Sequence, residues 1–185
     1  MSDRPWQLLP PSHHEEMRFQ LALLVAHREI YDRHFAQEPM CNPTLGFHLH
    51  GYRRTEDWRI ILALTPWMLS RLMFPTQPPA IEIPEGWSAA ERKGADYQLL
   101  GPSVNLDLQG STLKAHLNYH PQLGHYLLQP IALNMQNYTT SEETFQAWNE
   151  VIQRRDENMQ RMQRECPWQQ EVSRREFLSR LKDIV

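Results

Sequence analysis

The strongest constraint on the fold is a stretch of regular alternation between residues 104 and 120. Apolar and polar side chains take turns along it, and the pattern breaks once, at Gly110 and Ser111. Because successive side chains of a strand point to opposite faces of a sheet, this pattern predicts a β-hairpin with one apolar face and one polar face. Its apolar positions are Val104, Leu106, Leu108, Leu113, Ala115, Leu117 and Tyr119.

Three further segments are typical of strands. Residues 47–50 alternate, and the apolar run over residues 58–64 is predicted to pair with them across residues 51–57. Residues 126–133 add another strand, which Pro130 moves towards an edge because proline has no N–H for a central ladder. The segment from Pro75 to Pro84 holds four prolines, which predict a surface loop with one short extended piece at residues 81–83.

Two capping patterns predict where helices begin. Ser12, followed three residues later by Glu15, predicts a first helix over residues 12–37. Residues 140–143, Thr-Ser-Glu-Glu, predict a long helix that ends before Pro167, and residues 173–182 predict a short last helix. The apolar positions of the first helix are Phe19, Leu23, Leu24, Ala26, Ile30 and Tyr31.

This order of elements predicts an α+β fold in a single domain. An antiparallel sheet would be flanked by the N-terminal helix and the long C-terminal helix. The predicted boundaries are a flexible tail over residues 1–11, the α+β domain over residues 12–166 and a C-terminal segment over residues 167–185.

A dense apolar segment lies between the predicted strand 58–64 and the proline-rich loop. Thr65 can cap a helix and Pro66 suits its first position, so a short helix closed by Pro75 is predicted. Six large apolar side chains in eight positions are more than one short helix buries, which predicts a partly exposed ridge that contacts another protein. Simple core packing is an equal alternative. The predicted partner-binding residues are Thr65, Pro66, Trp67, Met68, Leu69, Arg71, Phe74 and Pro75.

The same segment resembles a signature of the HybE/HupJ-type nickel–iron hydrogenase assembly chaperones, and the similarity spans residues 45–151. The resemblance implies a non-enzymatic chaperone that holds a hydrogenase small-subunit precursor before its export by the twin-arginine pathway. It implies that the protein shields the export signal and helps the small subunit to pair with the large subunit. In such a complex the apolar surface would bind the apolar part of the signal, and carboxylates would pair with its arginines.

The C-terminal segment carries a second unusual motif. Residues 173–178, Ser-Arg-Arg-Glu-Phe-Leu, resemble the core of a twin-arginine export signal, but no apolar region follows them and they lie at the wrong end of the chain. One interpretation is a capped amphipathic helix. The other is a segment that mimics the signal peptide in or near its binding groove. The residues of this predicted mimic are Arg174, Arg175, Phe177 and Leu178.

Composition argues against several classes of function. The net charge of −3 disfavours a nucleic-acid partner, which needs a concentrated basic face. Cys41 and Cys166 form no C-x-x-C pair, so a reducing compartment without a zinc ribbon or iron–sulfur cluster is expected. Residues 1–11 have no apolar region typical of a secretory signal, and no apolar stretch approaches the ~18 residues of a membrane span. A cytoplasmic protein without membrane insertion is therefore expected.

No catalytic or metal-binding pattern stands out, so neither an enzyme nor a bound cofactor is expected. The chain has no G-x-S-x-G motif. Its predicted strands carry histidines in pairs without metal-ligand spacing, which favours a solvated polar face. The alternative is a small-molecule-binding or metal/cofactor-insertion domain, which a deep cavity beside the later three histidines would favour. The sequence leaves the oligomeric state and the hydrogenase served open. The histidines concerned are His48, His50, His116, His120 and His125.

Overall fold

The computed structural model describes residues 4–108, 111–151 and 153. Helix α3 begins at residue 141 and is described as far as residue 151. Within the described ranges no helix is both long enough and apolar enough to cross a membrane. The other elements are α1 Glu16–Ile30, β1 His48–Arg54, β2 Trp58–Thr65, β3 Met68–Pro75, α2 Ala89–Arg92, β4 Ser103–Leu108, β5 Ser111–His120 and β6 Gly124–Ala132.

The strands form one antiparallel sheet in the order β1-β2-β3-β6-β5-β4. Two three-stranded meanders, β1–β3 and β4–β6, join where β3 pairs with β6. The hairpin predicted from the alternation is confirmed, since Val104 pairs with Ala115 and Leu106 with Leu113. Together with α1 and α3, this antiparallel sheet confirms the predicted α+β class.

β6 lies in the centre of the sheet, so the prediction of an edge strand is wrong. Pro130 is accommodated by a register shift: Leu69 pairs with Ala132, whereas the next residue, Ser70, pairs with Pro130. Such a bulge interrupts the ladder locally, and proline is tolerated there because its missing N–H breaks no regular bond.

A core covers each face of the sheet. On the face that carries α1, the helix contributes Phe19, Leu23, Ala26 and Ile30, and the strands contribute Ile61, Leu72, Phe74, Tyr126 and Leu128. The second face carries Trp58, Ile60, Met73, Leu106, Leu117 and Leu127, covered by Ile83 and by the partly buried Trp6, Ile81 and Trp87. The proline-rich segment is therefore more than a surface loop, because part of it closes the second core.

α1 begins later than predicted. Residues Pro11–His13 form a separate 3-10 turn, and Glu15 caps the helix: its carboxylate accepts the backbone N–H groups of Met17 and Arg18 at 3.1 and 3.3 Å. The predicted cap at Ser12 is wrong, since the carboxylate of Glu15 fills the same role and also complements the helix dipole. The C-terminal end of α1 passes into a π-helical segment, Tyr31–Phe35.

The residues assigned to a flexible tail differ from that prediction where the structure describes them. Gln7 bonds twice to His125: its N–H donates to Nδ1 at 2.8 Å, and its carbonyl accepts the backbone N–H of His125 at 2.7 Å. Trp6 donates from Nε1 to the carbonyl of Ile81 at 2.7 Å, and Leu9 is buried. The chain divides into two units, Met1–Ser141 and Glu142–Val185, and the predicted domain boundaries stay a prediction.

Candidate partner-binding surface

The apolar segment after β2 forms a tight hairpin, so the predicted helix is wrong. Thr65 pairs with Met68 across a two-residue turn, Pro66 and Trp67. The Thr65 hydroxyl closes this turn, because it donates to the Met68 carbonyl at 3.0 Å and accepts the Met68 N–H at 3.2 Å. Proline suits a turn because its φ is already fixed, and the Pro66 carbonyl accepts the N–H of Asn42 at 2.7 Å.

Trp67 contacts the C-terminal half of α1 and the π-helical segment after it. Its indole stacks on Phe35, with ring centroids 4.7 Å apart and planes inclined by 13°. It meets the imidazole of His27 edge-on at 6.1 Å, and the rings of Tyr31 and Phe47 lie at 6.3 and 6.1 Å. Trp67 is 2% exposed. Through Trp67, the hairpin turn therefore packs against the buried side of α1 and of the π-helical segment.

The expectation of a partly exposed ridge is wrong in this structure. β3 is flanked by β2 and β6 and covered on both faces, so side chains of either parity are buried. Arg71 keeps partial exposure, and its Nη1 donates to Oε1 of Gln129 at 3.2 Å. That these residues bind a partner stays a prediction. The buried ones are Thr65, Pro66, Trp67, Met68, Leu69, Phe74 and Pro75.

A surface that the sequence interpretation missed lies on α1. Met17, Leu21 and Val25 are 78%, 63% and 43% exposed. They follow one another at intervals of four residues, which places them on one side of the helix, and we call them the α1 stripe. Their spacing is visible in the sequence beside the buried positions. A depression of about 440 Å³ adjoins them, with Leu21, Val25 and Gln122 in its lining.

Single apolar side chains on a surface are ordinary, but adjoining ones mark a contact surface. The α1 stripe holds three of the large apolar side chains that are exposed in the described part of the chain. Its three members differ in shape and include a methionine, whose flexible thioether adapts to varied apolar partners. The stripe therefore has the character of a docking surface for an apolar segment.

A second depression, of about 380 Å³, carries two carboxylates. Asp57 and Asp107 both line it, and its lining includes no lysine or arginine; we call it the acidic depression. The Asp57 carboxylate accepts from Nε2 of Gln77 at 2.8 Å, and that of Asp107 accepts from the Thr112 hydroxyl at 2.6 Å. Each of these bonds occupies one oxygen, so each carboxylate keeps a second oxygen that can accept from a guanidinium.

The acidic depression lies towards the end of the sheet where α1 begins. The ring of Phe19, in the first turns of α1, meets the ring of Phe74 at 5.0 Å. The next residue, Pro75, pairs with Trp58, which lines the depression beside Asp57. The depression and the first turns of α1 therefore lie towards the same end of the sheet but on opposite faces, because Trp58 belongs to the second core and Phe19 to the core beneath α1.

The histidines of the second meander differ from the predicted solvated face, since His120 and His125 are buried. His125 accepts the Gln7 N–H at Nδ1, so its Nε2 carries the proton and donates to the Trp87 carbonyl at 2.9 Å. Burial lowers the pKa of both imidazoles. No group of three or more His, Cys, Asp or Glu side chains is arranged to hold a metal ion in the described residues.

His27 is the most strongly perturbed of the histidines. Burial, followed by the nearby imidazole of His120, lowers its pKa to about 4. The ring is therefore neutral at pH 7 and behaves as an apolar member of the cluster around Trp67.

A polar cleft of about 370 Å³ reaches one of the three histidines in the small-molecule alternative. His120 lines it together with Glu29, Arg33 and Tyr97. His116 is instead turned towards the Gly101 carbonyl, with its Nδ1 at 2.8 Å. This cleft is therefore not the deep cavity beside all three histidines that would favour the small-molecule alternative.

Several predictions lie outside the described residues. They are the long helix beyond residue 153, the short helix at residues 173–182, Cys166, and the predicted signal mimic of Arg174, Arg175, Phe177 and Leu178.

Comparison with known proteins identifies the family. A family model described as NiFe-hydrogenase assembly, chaperone, HybE matches residues 19–180. The solution structure of HybE from Escherichia coli is similar, with a TM-score of 0.47 and 17% identity over 71% of this chain and 73% of that chain. None of the curated proteins searched matches. The family match includes most of α1, the hairpin turn and the whole sheet, and assembly chaperones have a non-catalytic role. The chain therefore belongs to the HybE family of nickel–iron hydrogenase assembly chaperones.

Proposed function

We propose that this chaperone binds the precursor of a hydrogenase small subunit through its twin-arginine signal peptide and promotes pairing with the large subunit. The observation that carries the proposal is the α1 stripe. An apolar helix docks on another through positions three and four residues apart, and Met17, Leu21 and Val25 offer that spacing. Because a precursor keeps its signal until export, the protein would act in the cytoplasm.

The acidic depression supports the same proposal, because it offers carboxylates to the two arginines of the signal peptide. A guanidinium pairs with a carboxylate through two parallel hydrogen bonds. Asp57 and Asp107 supply two carboxylates, without a lysine or arginine in the lining to compete for them.

The hairpin of residues 65–75 would then act mainly through α1. Trp67 is buried against His27, Tyr31 and Phe35, so it sets where the helix lies rather than meeting the partner. Arg71 is the member of the predicted set that keeps partial exposure, which supports a direct contact with a partner. We propose positioning for the buried members and contact for Arg71.

Titration of a fluorescent signal peptide into the full chain tests the proposal. Val25→Glu should weaken binding at least tenfold, because a carboxylate cannot be buried under an apolar helix without loss. Leu133→Glu is the matched control, since Leu133 is 46% exposed and Val25 43%. Equal affinities of the two variants would remove the α1 stripe from the proposal.

The arginines are tested by a second pair of variants. Asp57→Asn and Asp107→Asn should each bring the affinity for the Arg-Arg peptide towards that for a Lys-Lys peptide, because lysine lacks the guanidinium fork. Asp32→Asn is the control, as Asp32, in the π-helical segment, pairs with Arg28 of α1. If Asp32→Asn alone weakened binding, the arginines would have to be placed near the C-terminal end of α1.

The signal mimic has its own test. If residues 174–178 compete with the signal peptide, removal of residues 173–185 should raise the affinity for added peptide. An unchanged affinity would exclude the mimic and leave the proposal for α1 as it stands.

A further inference from the structure

Arg59 is a buried cation whose Nε lacks a hydrogen-bond partner among the described residues. It lies in β2 on the face that carries α1, between Phe74 of β3 and Arg54 of β1. Arg59 is 2% exposed, and its Nε is buried without a hydrogen-bond partner. The ion pairs found among the described residues involve Arg4, Arg18 and Arg28, and not Arg59. A guanidinium stays protonated in proteins, so this side chain carries a full positive charge.

The neighbours of Arg59 do not compensate that charge. Arg54 stands directly opposite on the same face, and facing residues of antiparallel strands have Cβ atoms about 4.5–5.5 Å apart. Phe74, on the other side, belongs to the apolar core beneath α1. In the described part of the chain no carboxylate forms an ion pair with Arg59, including Asp57, two residues before it. The sheet therefore brings the positive charges of Arg54 and Arg59 together beside the ring of Phe74.

We propose that Arg59, with Arg54 beside it, forms a binding site for a single oxyanion, either a carboxylate or a phosphate group. The planar fork of a guanidinium matches the paired oxygens of both groups. An unpaired buried charge is strongly unfavourable, whereas one that is paired and hydrogen-bonded is tolerated. The apolar wall formed by Phe74 lowers the local dielectric and strengthens such a pair. This site goes beyond the proposed function, since it requires neither a hydrogenase nor a signal peptide.

Nuclear magnetic resonance of the arginine Nε–H groups in the full chain tests the site directly. Sodium acetate and sodium phosphate are titrated separately at constant ionic strength, and the Arg59 signal is assigned by its absence in Arg59→Met. We expect a saturable shift of that signal and a rise of the melting temperature, with no rise in Arg59→Met. If Arg59→Met does not fold, Arg59→Lys serves instead and should bind more weakly because it lacks the fork.

Two neighbouring variants separate a site from general charge effects. Arg54→Gln should weaken the anion affinity. Arg53→Gln should leave it unchanged, because Arg53 pairs with Ile60, which faces the second core. A response to acetate alone identifies a carboxylate ligand, and a response to phosphate alone identifies a phosphate ligand. If neither salt shifts the Arg59 signal beyond that of Arg53, the proposal is overturned, and the signal-peptide titrations are unaffected.

Discussion

The backbone carbonyl of Gln7 lies so close to Gly124 that a Cβ added to Gly124 would stand 2.3 Å from the carbonyl oxygen. Gly124 opens β6 with a φ of +76°, a conformation that glycine adopts freely and other residues adopt at a cost. Position 124 therefore requires glycine for two reasons: its φ is positive, and the N-terminal segment passes too close for a Cβ.

Gly124→Ala should destabilise the protein by more than the ~1 kcal/mol of backbone strain alone, because the new Cβ also displaces Gln7. Gly51→Ala is the matched control: its φ is +66°, and no atom lies within 4 Å of an added Cβ. Urea unfolding of both variants measures the difference. Equal losses would mean that the N-terminal segment moves aside freely.

Trp67→Ala should lower the free energy of unfolding by about 3–5 kcal/mol, the usual loss for a large buried aromatic side chain. The physical reason is the removal of the ring that supports Phe35 and His27. Leu21→Ala, on the exposed side of α1, should change stability by no more than about 0.5 kcal/mol. A stable Trp67→Ala protein that no longer bound its partner would return Trp67 to the contact surface.

Thr65→Val should cost about 1–2 kcal/mol, because it removes a buried hydroxyl that bonds both the carbonyl and the N–H of Met68. Thr55 makes the same pair of bonds to Trp58 at the β1–β2 turn, but in a half-buried setting. Thr55→Val should therefore cost less, since water can replace the lost bonds. Denaturant midpoints of the two variants decide the order.

Stability should fall as the pH is lowered from 6.5 to 4. The pKa of His27 is about 4 in the folded protein, against 6.5 for an unperturbed histidine. Below pH 6.5 the unfolded chain therefore takes up a proton that the folded protein does not. The contribution of His27 to the free energy of unfolding is complete above pH 6.5, and at most ~3 kcal/mol of it is lost as the pH falls to 4. Urea unfolding at pH 7, 5.5 and 4.5 should show this slope, and His27→Gln should flatten it. An unchanged slope in that variant would assign it to His120 and His125, whose pKa values burial also lowers.

The strands were predictable wherever one face of the sheet had a different environment from the other. β4 and β5 alternate for this reason, and their pairing follows from the sequence. β3 has both faces covered, so its apolar side chains are continuous and carry no period. Such a run is ambiguous between a buried strand and a helix, and Pro66 then misleads because it suits a turn as well as a helix start. The central place of Pro130 depends on a bulge that no local pattern indicates.

The family was predictable from the hairpin segment, but the surface was not. Side chains such as Trp67 and Met68 look alike in sequence whether they meet a partner or a core, and the packing of α1 decides between them. Met17, Leu21 and Val25 also recur at helical spacing. They were missed because the buried positions of α1 already account for one apolar stripe on the helix. Arg59 gives no signal in sequence, since its isolation follows from burial.

Trp67 packs against the buried side of α1, through His27. The exposed residues of the helix can therefore differ between related chaperones without changing how α1 packs on the sheet. Binding specificity and folding stability would therefore depend on different residues of the same helix. If the α1 stripe binds the precursor as proposed, exchange of Met17, Leu21 and Val25 for the corresponding residues of a relative would change which precursor is bound and leave the melting temperature the same.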